Sequence, residues 1–128
     1  MRLLLDTQML LWSVADSGRL PCLARTLLED VGNEVYFSAA SQWEIAIKSA
    51  LRRDDFTVDP VDFLASLAST GYVELPVSAR HATHTAFLPP LHKDPFDRLL
   101  LAQAMLEPMT LLSNDRQLAA YWSGVMLA

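Results

Sequence analysis

A single cysteine, Cys22, leaves this 128-residue chain without an internal disulfide framework and suits a reducing compartment. Histidine is nearly as scarce: His81, His84 and His92 are too dispersed for a metal motif. The first two form an i, i+3 pair on a short predicted helix and read as surface residues. Four glycines, none grouped, exclude a Gly-rich phosphate loop of the nucleotide-triphosphate or dinucleotide type. No apolar run approaches the roughly 20 residues of a membrane-spanning helix. The start, Met1-Arg2-Leu3-Leu4-Leu5-Asp6, meets an acid too early for the apolar region of a signal peptide. A cytoplasmic protein with no membrane partner is expected. Charged residues make up only 20% of the chain and the net charge is −5, which excludes a broad basic face for non-specific nucleic-acid binding. It does not exclude a nuclease, because clustered active-site carboxylates inflate the negative count and a bound cation offsets it.

What the chain has in quantity is apolar surface, 52% of its residues, enough for one domain over residues 1–128 with a sizeable core. Covering part of that surface by self-association is a natural outcome. Residues 2–5 read as a buried strand with Asp6 at its carboxyl end, and Thr7–Val14 as a helix. Pro21 opens a helix that runs up to Gly32, and residues 34–38 form a second strand. Ser41-Gln42-Trp43-Glu44 matches a capping box, in which Glu44 reaches back to the Ser41 N–H. That helix is expected to continue to Arg52-Arg53-Asp54-Asp55. Asp59-Pro60 opens the next, which Gly71 ends. Strand 72–75, a short helix over 78–86, helix 95–107, strand 110–113, a helical turn over 115–121 and an edge strand at 125–127 complete the reading. Strands alternating with helices predict a mostly parallel central sheet covered on both faces.

Four acids stand where such a fold brings side chains together. Functional groups in open α/β sheets gather beyond the carboxyl ends of the strands, and Asp6 and Asp115 each follow an apolar strand. Glu44 sits beside Trp43 on an otherwise apolar helix, where an ionised carboxylate needs a compensating partner. In His92-Lys93-Asp94-Pro95-Phe96-Asp97-Arg98, Asp94 takes the N-cap, Pro95 the first helical position, and Asp97 lies near the positive end of the dipole. Each acid has an ordinary alternative as a helix cap. Together, oxygen donors with no cysteine or histidine cluster suit Mg²⁺ or Mn²⁺ over zinc, and the matching chemistry is phosphodiester hydrolysis.

Leu4-Leu5-Asp6-Thr7, residues 38–48 from Ser38 to Lys48, residues 92–98 and Leu112-Ser113-Asn114-Asp115 resemble, in order and over nearly the whole chain, the blocks of PIN-domain proteins. The VapC-type toxins of bacterial toxin–antitoxin pairs are the most similar branch. The resemblance implies a three-layer α/β/α PIN-like domain with a central mostly parallel sheet. It implies a Mg²⁺- or Mn²⁺-dependent endoribonuclease in which Asp6, Glu44 and Asp97 hold the metal and Asp115 orients the metal or a water. It also implies a homodimer and a cognate VapB-like antitoxin that silences the RNA-cutting activity. Ser113 stands at the family's hydroxyl position. One departure is Gln8, where many relatives carry histidine, a position expected to affect substrate choice more than the reaction.

Lys48, Arg98, His92 and Ser113 are the expected substrate contacts. Arg52 and Arg53 read as a solvated face that neutralises nearby acids, and Arg116, which follows a site acid, fits either that role or a contact to RNA phosphates or an antitoxin's acidic groups. Trp12, Trp43 and Trp122 are expected in the core or a dimer interface. A dehalogenase-like phosphatase would need a second aspartate at the position of Gln8, and a receiver domain an acidic neighbour for Asp6; neither is present. The alternative of a different class is a PIN-like fold that binds RNA or protein without cutting.

Overall fold

The computed structural model describes residues 1–51, 55–90 and 93–128. Five strands are found among them: β1 (Arg2–Leu5), β2 (Glu34–Ser38), β3 (Val73–Leu75), β4 (Thr110–Ser113) and β5 (Val125–Leu127). They form one sheet in the order β3-β2-β1-β4-β5, and every pairing is parallel. The register sets Leu4 opposite both Tyr36 and Leu111.

Side chains alternate across the sheet with period two, and this sorts the apolar residues into two cores. Leu5, Val35, Phe37 and Leu112 pack on one face against Met9 and Leu10 of α1 (Thr7–Val14), Ala24 of α2 (Cys22–Glu29), Ile45 of α3 (Ala39–Ala50) and Phe63 of α4 (Pro60–Leu67). Leu4 and Leu111 pack on the other face against Leu100, Leu101 and Ala104 of α6 (Pro95–Leu106) and Leu118 of α7 (Arg116–Tyr121). The helix α5 (Ala79–His84) packs against α6 and runs into a single 3-10 turn at Thr85–Phe87. Both faces of the sheet are covered, which is why its central strands read as unbroken apolar runs. The result is the expected three-layer α/β/α arrangement. Gly71 carries a φ of 81° in the turn before β3, a left-handed conformation that favours glycine.

The start of α3 corrects the sequence reading. The helix begins at Ala39, not at Ser41, and Ser38 is its N-cap, accepting from the Ala40 N–H at 3.0 Å. No capping box forms at Ser41, whose Oγ instead accepts from the Thr7 hydroxyl at 2.9 Å in the interior. Ser38 is fully buried and also donates to Oε1 of Gln103 at 2.5 Å, while the Gln103 amide donates to the Pro76 carbonyl. The capping serine is thereby also tied to α6. Ser38→Ala removes the cap and leaves the buried Gln103 oxygen without its donor. A loss of about 2–3 kcal/mol is expected, measured by urea denaturation; a loss below 1 kcal/mol would mean that the link carries little.

His81 is the second correction. It is 3% exposed, not a surface residue. Its Nδ1 accepts from the Ser78 N–H at 3.0 Å, the Ser78 hydroxyl accepts from the His81 N–H, and Nε2 lies 2.7 Å from Glu107. The imidazole both caps α5 and ties it to the end of α6. Trp12 and Trp122 pack at the edges of the two cores, whereas Trp43 is 60% exposed. Arg52, Arg53, Asp54 and His92 lie outside the described residues.

Candidate metal centre

From β1 the sheet grows through β2 and β3 in one direction and through β4 and β5 in the other. That reversal opens a crevice beyond the carboxyl ends of β1 and β4, the position at which α/β sheets bind ligands. Asp6 directly follows β1, and Asp115 lies two residues beyond β4. The Asp6 N–H donates to the Leu112 carbonyl at 3.1 Å, so the β1–β4 pairing carries the first acid to the crevice floor.

Asp6 is held on both oxygens. Its Oδ1 accepts from the Met9 N–H at 2.8 Å as the N-cap of α1, and its Oδ2 accepts from the Ser113 hydroxyl at 2.5 Å. Ser113 in turn accepts from the Asp115 N–H at 3.0 Å, so one buried hydroxyl links the two acids. Asp115 caps α7 through the Gln117 N–H at 2.8 Å. Thr7 and Ser41 join α1 to α3 directly beneath the site. Capping and cleft-lining coexist here, so the two readings of Asp6 and Asp115 were never exclusive.

The starting point of α3 places Glu44 in the helix interior, one turn before Lys48, whose ammonium lies 3.0 Å from its carboxylate. Asp97 is in the first turn of α6, and Asp94 caps that helix through the Phe96 and Asp97 N–H groups at 2.9 and 3.2 Å. Asp6, Glu44, Asp94, Asp97 and Asp115 all line one cleft of about 230 Å³. Lys48 is the sole cationic side chain among the described residues that line it.

Burial pushes the Asp6 carboxyl up to about 6, opposed by its hydrogen bonds from Ser113 and Met9 and reinforced by the charges of Asp97 and Asp115. Crowded carboxylates of this kind call for a positive partner. All the strong donors are oxygens, which suits a hard divalent cation. Among the described residues no three acidic, histidine or cysteine side chains converge tightly enough to hold an ion unaided. Such a cation would complete its shell with water, as Mg²⁺ commonly does.

Two expected substrate contacts are placed elsewhere. Ser113 is fully buried, and its hydroxyl is committed to Asp6 and Asp115. Arg98 donates to the carbonyls of Thr85, Leu88 and Pro89 at 2.8, 3.3 and 2.9 Å, fastening the loop that precedes α6. The cleft also includes Thr7, Gln8 and Asn114. Thr7 and Asn114 lay within the blocks that carry the resemblance, and Gln8 was the departure from it expected to affect substrate choice.

A family model of the PIN domain matches residues 3–121. The chain belongs to the PIN-domain family. Its fold is shared with VapC toxins of VapBC toxin–antitoxin systems. VapBC2 from Rickettsia felis, solved bound to a DNA fragment from their promoter, is 14% identical at a TM-score of 0.67, covering 100% of this chain and 98% of that chain. VapC20 from Mycobacterium tuberculosis, a sarcin-ricin loop cleaving toxin, is 17% identical at 0.67, covering 98% of each chain. FitAcB from Neisseria gonorrhoeae is 17% identical at 0.65, covering 98% of this chain and 96% of that one. Sequence comparison with curated proteins gives no match.

Proposed function

We propose that this PIN-domain chain is a Mg²⁺- or Mn²⁺-dependent endoribonuclease, acting as the toxin of a toxin–antitoxin pair. The observation that carries the reading is the convergence of carboxylates from four segments of a PIN fold on one cleft at the carboxyl edge of the sheet. Asp6, Glu44 and Asp97 would hold the ion, with Asp115 orienting it directly or through water. A bound divalent cation supplies charge stabilisation at a phosphodiester and eases deprotonation of water. The chain's own residues prepare for this: Ser113 fixes the orientation of Asp6, and α3 and α6, packed against each other, bring Glu44 and Asp97 to the same cleft.

The wider role follows the fold neighbours. VapC20 is a sarcin-ricin loop cleaving toxin, and several neighbours were solved as toxin–antitoxin complexes. For this chain the reading is one PIN unit over residues 1–128, a cytoplasmic homodimer, with RNA as substrate and a VapB-like antitoxin as partner. Among the described residues no helix is long and apolar enough to cross a membrane. A binding-only role is favoured by one observation, the absence of a closed ligand set among the described residues.

Incubating the purified protein with a pool of tRNA and structured RNA separates the two. Cleavage in Mg²⁺ or Mn²⁺ that stops in EDTA is expected. Metal-independent cleavage would overturn the metal assignment. Failure to cut, combined with no Mn²⁺ binding by calorimetry, would leave the binding-only role.

A further inference from the structure

Lys48 stands where three hollows meet. It lines the acidic cleft, a larger groove of about 780 Å³ bordered by Trp12 and Phe63, and a shallow hollow of about 310 Å³ beside Phe96. Its side chain is 39% exposed and Glu44's only 13%. The carboxylate is therefore fixed in the wall while the ammonium has open space on several sides. Glu44 precedes Lys48 by four residues, the favourable order for an intrahelical pair, yet such pairs are worth only a factor of about two. A divalent cation at Glu44 outweighs that readily, and ion and ammonium repel each other at one carboxylate.

We propose that Lys48 is a positioning residue that exchanges partners: a divalent ion takes Glu44, and the released ammonium takes a phosphate of single-stranded RNA entering the cleft. This rests on the nuclease reading above. A phosphate approaching five carboxylates needs a cation, and Lys48 is the one that the described lining supplies. The flexible four-carbon stem of lysine fits it to serve two partners in turn. The pair with Glu44 also keeps the ammonium at the cleft wall, within reach of the site.

Two measurements test the exchange. Calorimetric titration of Mn²⁺ needs no RNA: Lys48→Gln is expected to bind the ion about two- to fivefold more tightly than wild type, and Lys48→Arg, which keeps the pair, about equally. The second follows a fluorescein-labelled single-stranded RNA at 4 °C, in Ca²⁺ and in EDTA. In Ca²⁺, Lys48→Gln should bind about fivefold more weakly, with a salt slope lower by about 0.7, one phosphate contact; Lys48→Arg should restore both. In EDTA, wild type and Lys48→Gln should bind alike. Equal Mn²⁺ affinities, or the same RNA deficit in EDTA as in Ca²⁺, would overturn the exchange. Should wild type cut no RNA, the nuclease reading and the phosphate half fall together, while the Mn²⁺ titration still decides the exchange at Glu44.

Discussion

Asp97→Asn is expected to lower RNA cleavage by about a thousandfold or more while changing folding stability by no more than about 1 kcal/mol. The first figure is that of removing one preorganised charge from a metal-assisted phosphodiester site. The second follows from where Asp97 sits. Its backbone N–H is held by Asp94, and that bond survives the substitution. Loss of a negative side chain in the first turn of α6 costs about 0.3–1 kcal/mol. Relief of its repulsion with the buried Asp6 offsets part of that cost. Single-turnover cleavage and urea denaturation measure the two quantities separately. Cleavage at the wild-type rate would place the chemistry somewhere other than this cleft. A collapse in stability would mean that Asp97 belongs to the architecture of α6.

The sheet was legible because its central strands are largely buried, so each carries a short apolar stretch: residues 3–5, 35–37 and 111–112. Helices with local stop and start signals were legible too. Asp59-Pro60 and Asp94-Pro95 each combine a cap with a proline at the first helical position, and both appear in the structure as caps. What escaped was whatever depended on distant partners. Ser38 and Ser41 are both good caps by local chemistry, and each is tied to a distant partner, Ser38 to Gln103, 65 positions away, and Ser41 to Thr7. His81 looked like a surface residue because its partner Glu107 lies 26 positions away, at the end of α6. The same limit applied at the cleft. Asp6 and Asp115 follow from a rule about strand ends, whereas Ser113 and Arg98 were expected at the substrate. Only the packed structure shows that their hydrogen bonds point to Asp6 and to loop carbonyls.

Asp6→Asn is expected to be inactive yet more stable than wild type at pH 8 in EDTA, by about 1–2 kcal/mol, and less stable near pH 4. Burial raises the folded-state carboxyl from its ordinary 3.8 to about 6, so the native state binds this proton more tightly than the unfolded chain does. The stability from the protonated acid is therefore complete below about pH 4 and is lost as pH rises through about 6. A difference of about two pH units corresponds to about 3 kcal/mol. Asparagine never ionises and keeps the bond from the Met9 N–H through its oxygen, but its amide nitrogen cannot accept from the Ser113 hydroxyl, which costs about 1–2 kcal/mol at every pH. Other carboxylates titrate in both proteins and cancel in the comparison. Adding Mn²⁺ at pH 8 should reverse the order, since an ion that binds only the folded wild type stabilises it by mass action. Proton and ion compete for the same oxygens, so Mn²⁺ affinity should fall as pH drops below about 6. Thermal melts of both proteins across pH 4–8, with and without Mn²⁺, measure all of this. A difference between the two proteins that stays constant from pH 4 to pH 8 in EDTA would show that Asp6 ionises without strain, and the demand for a cation at the crevice floor would go with it.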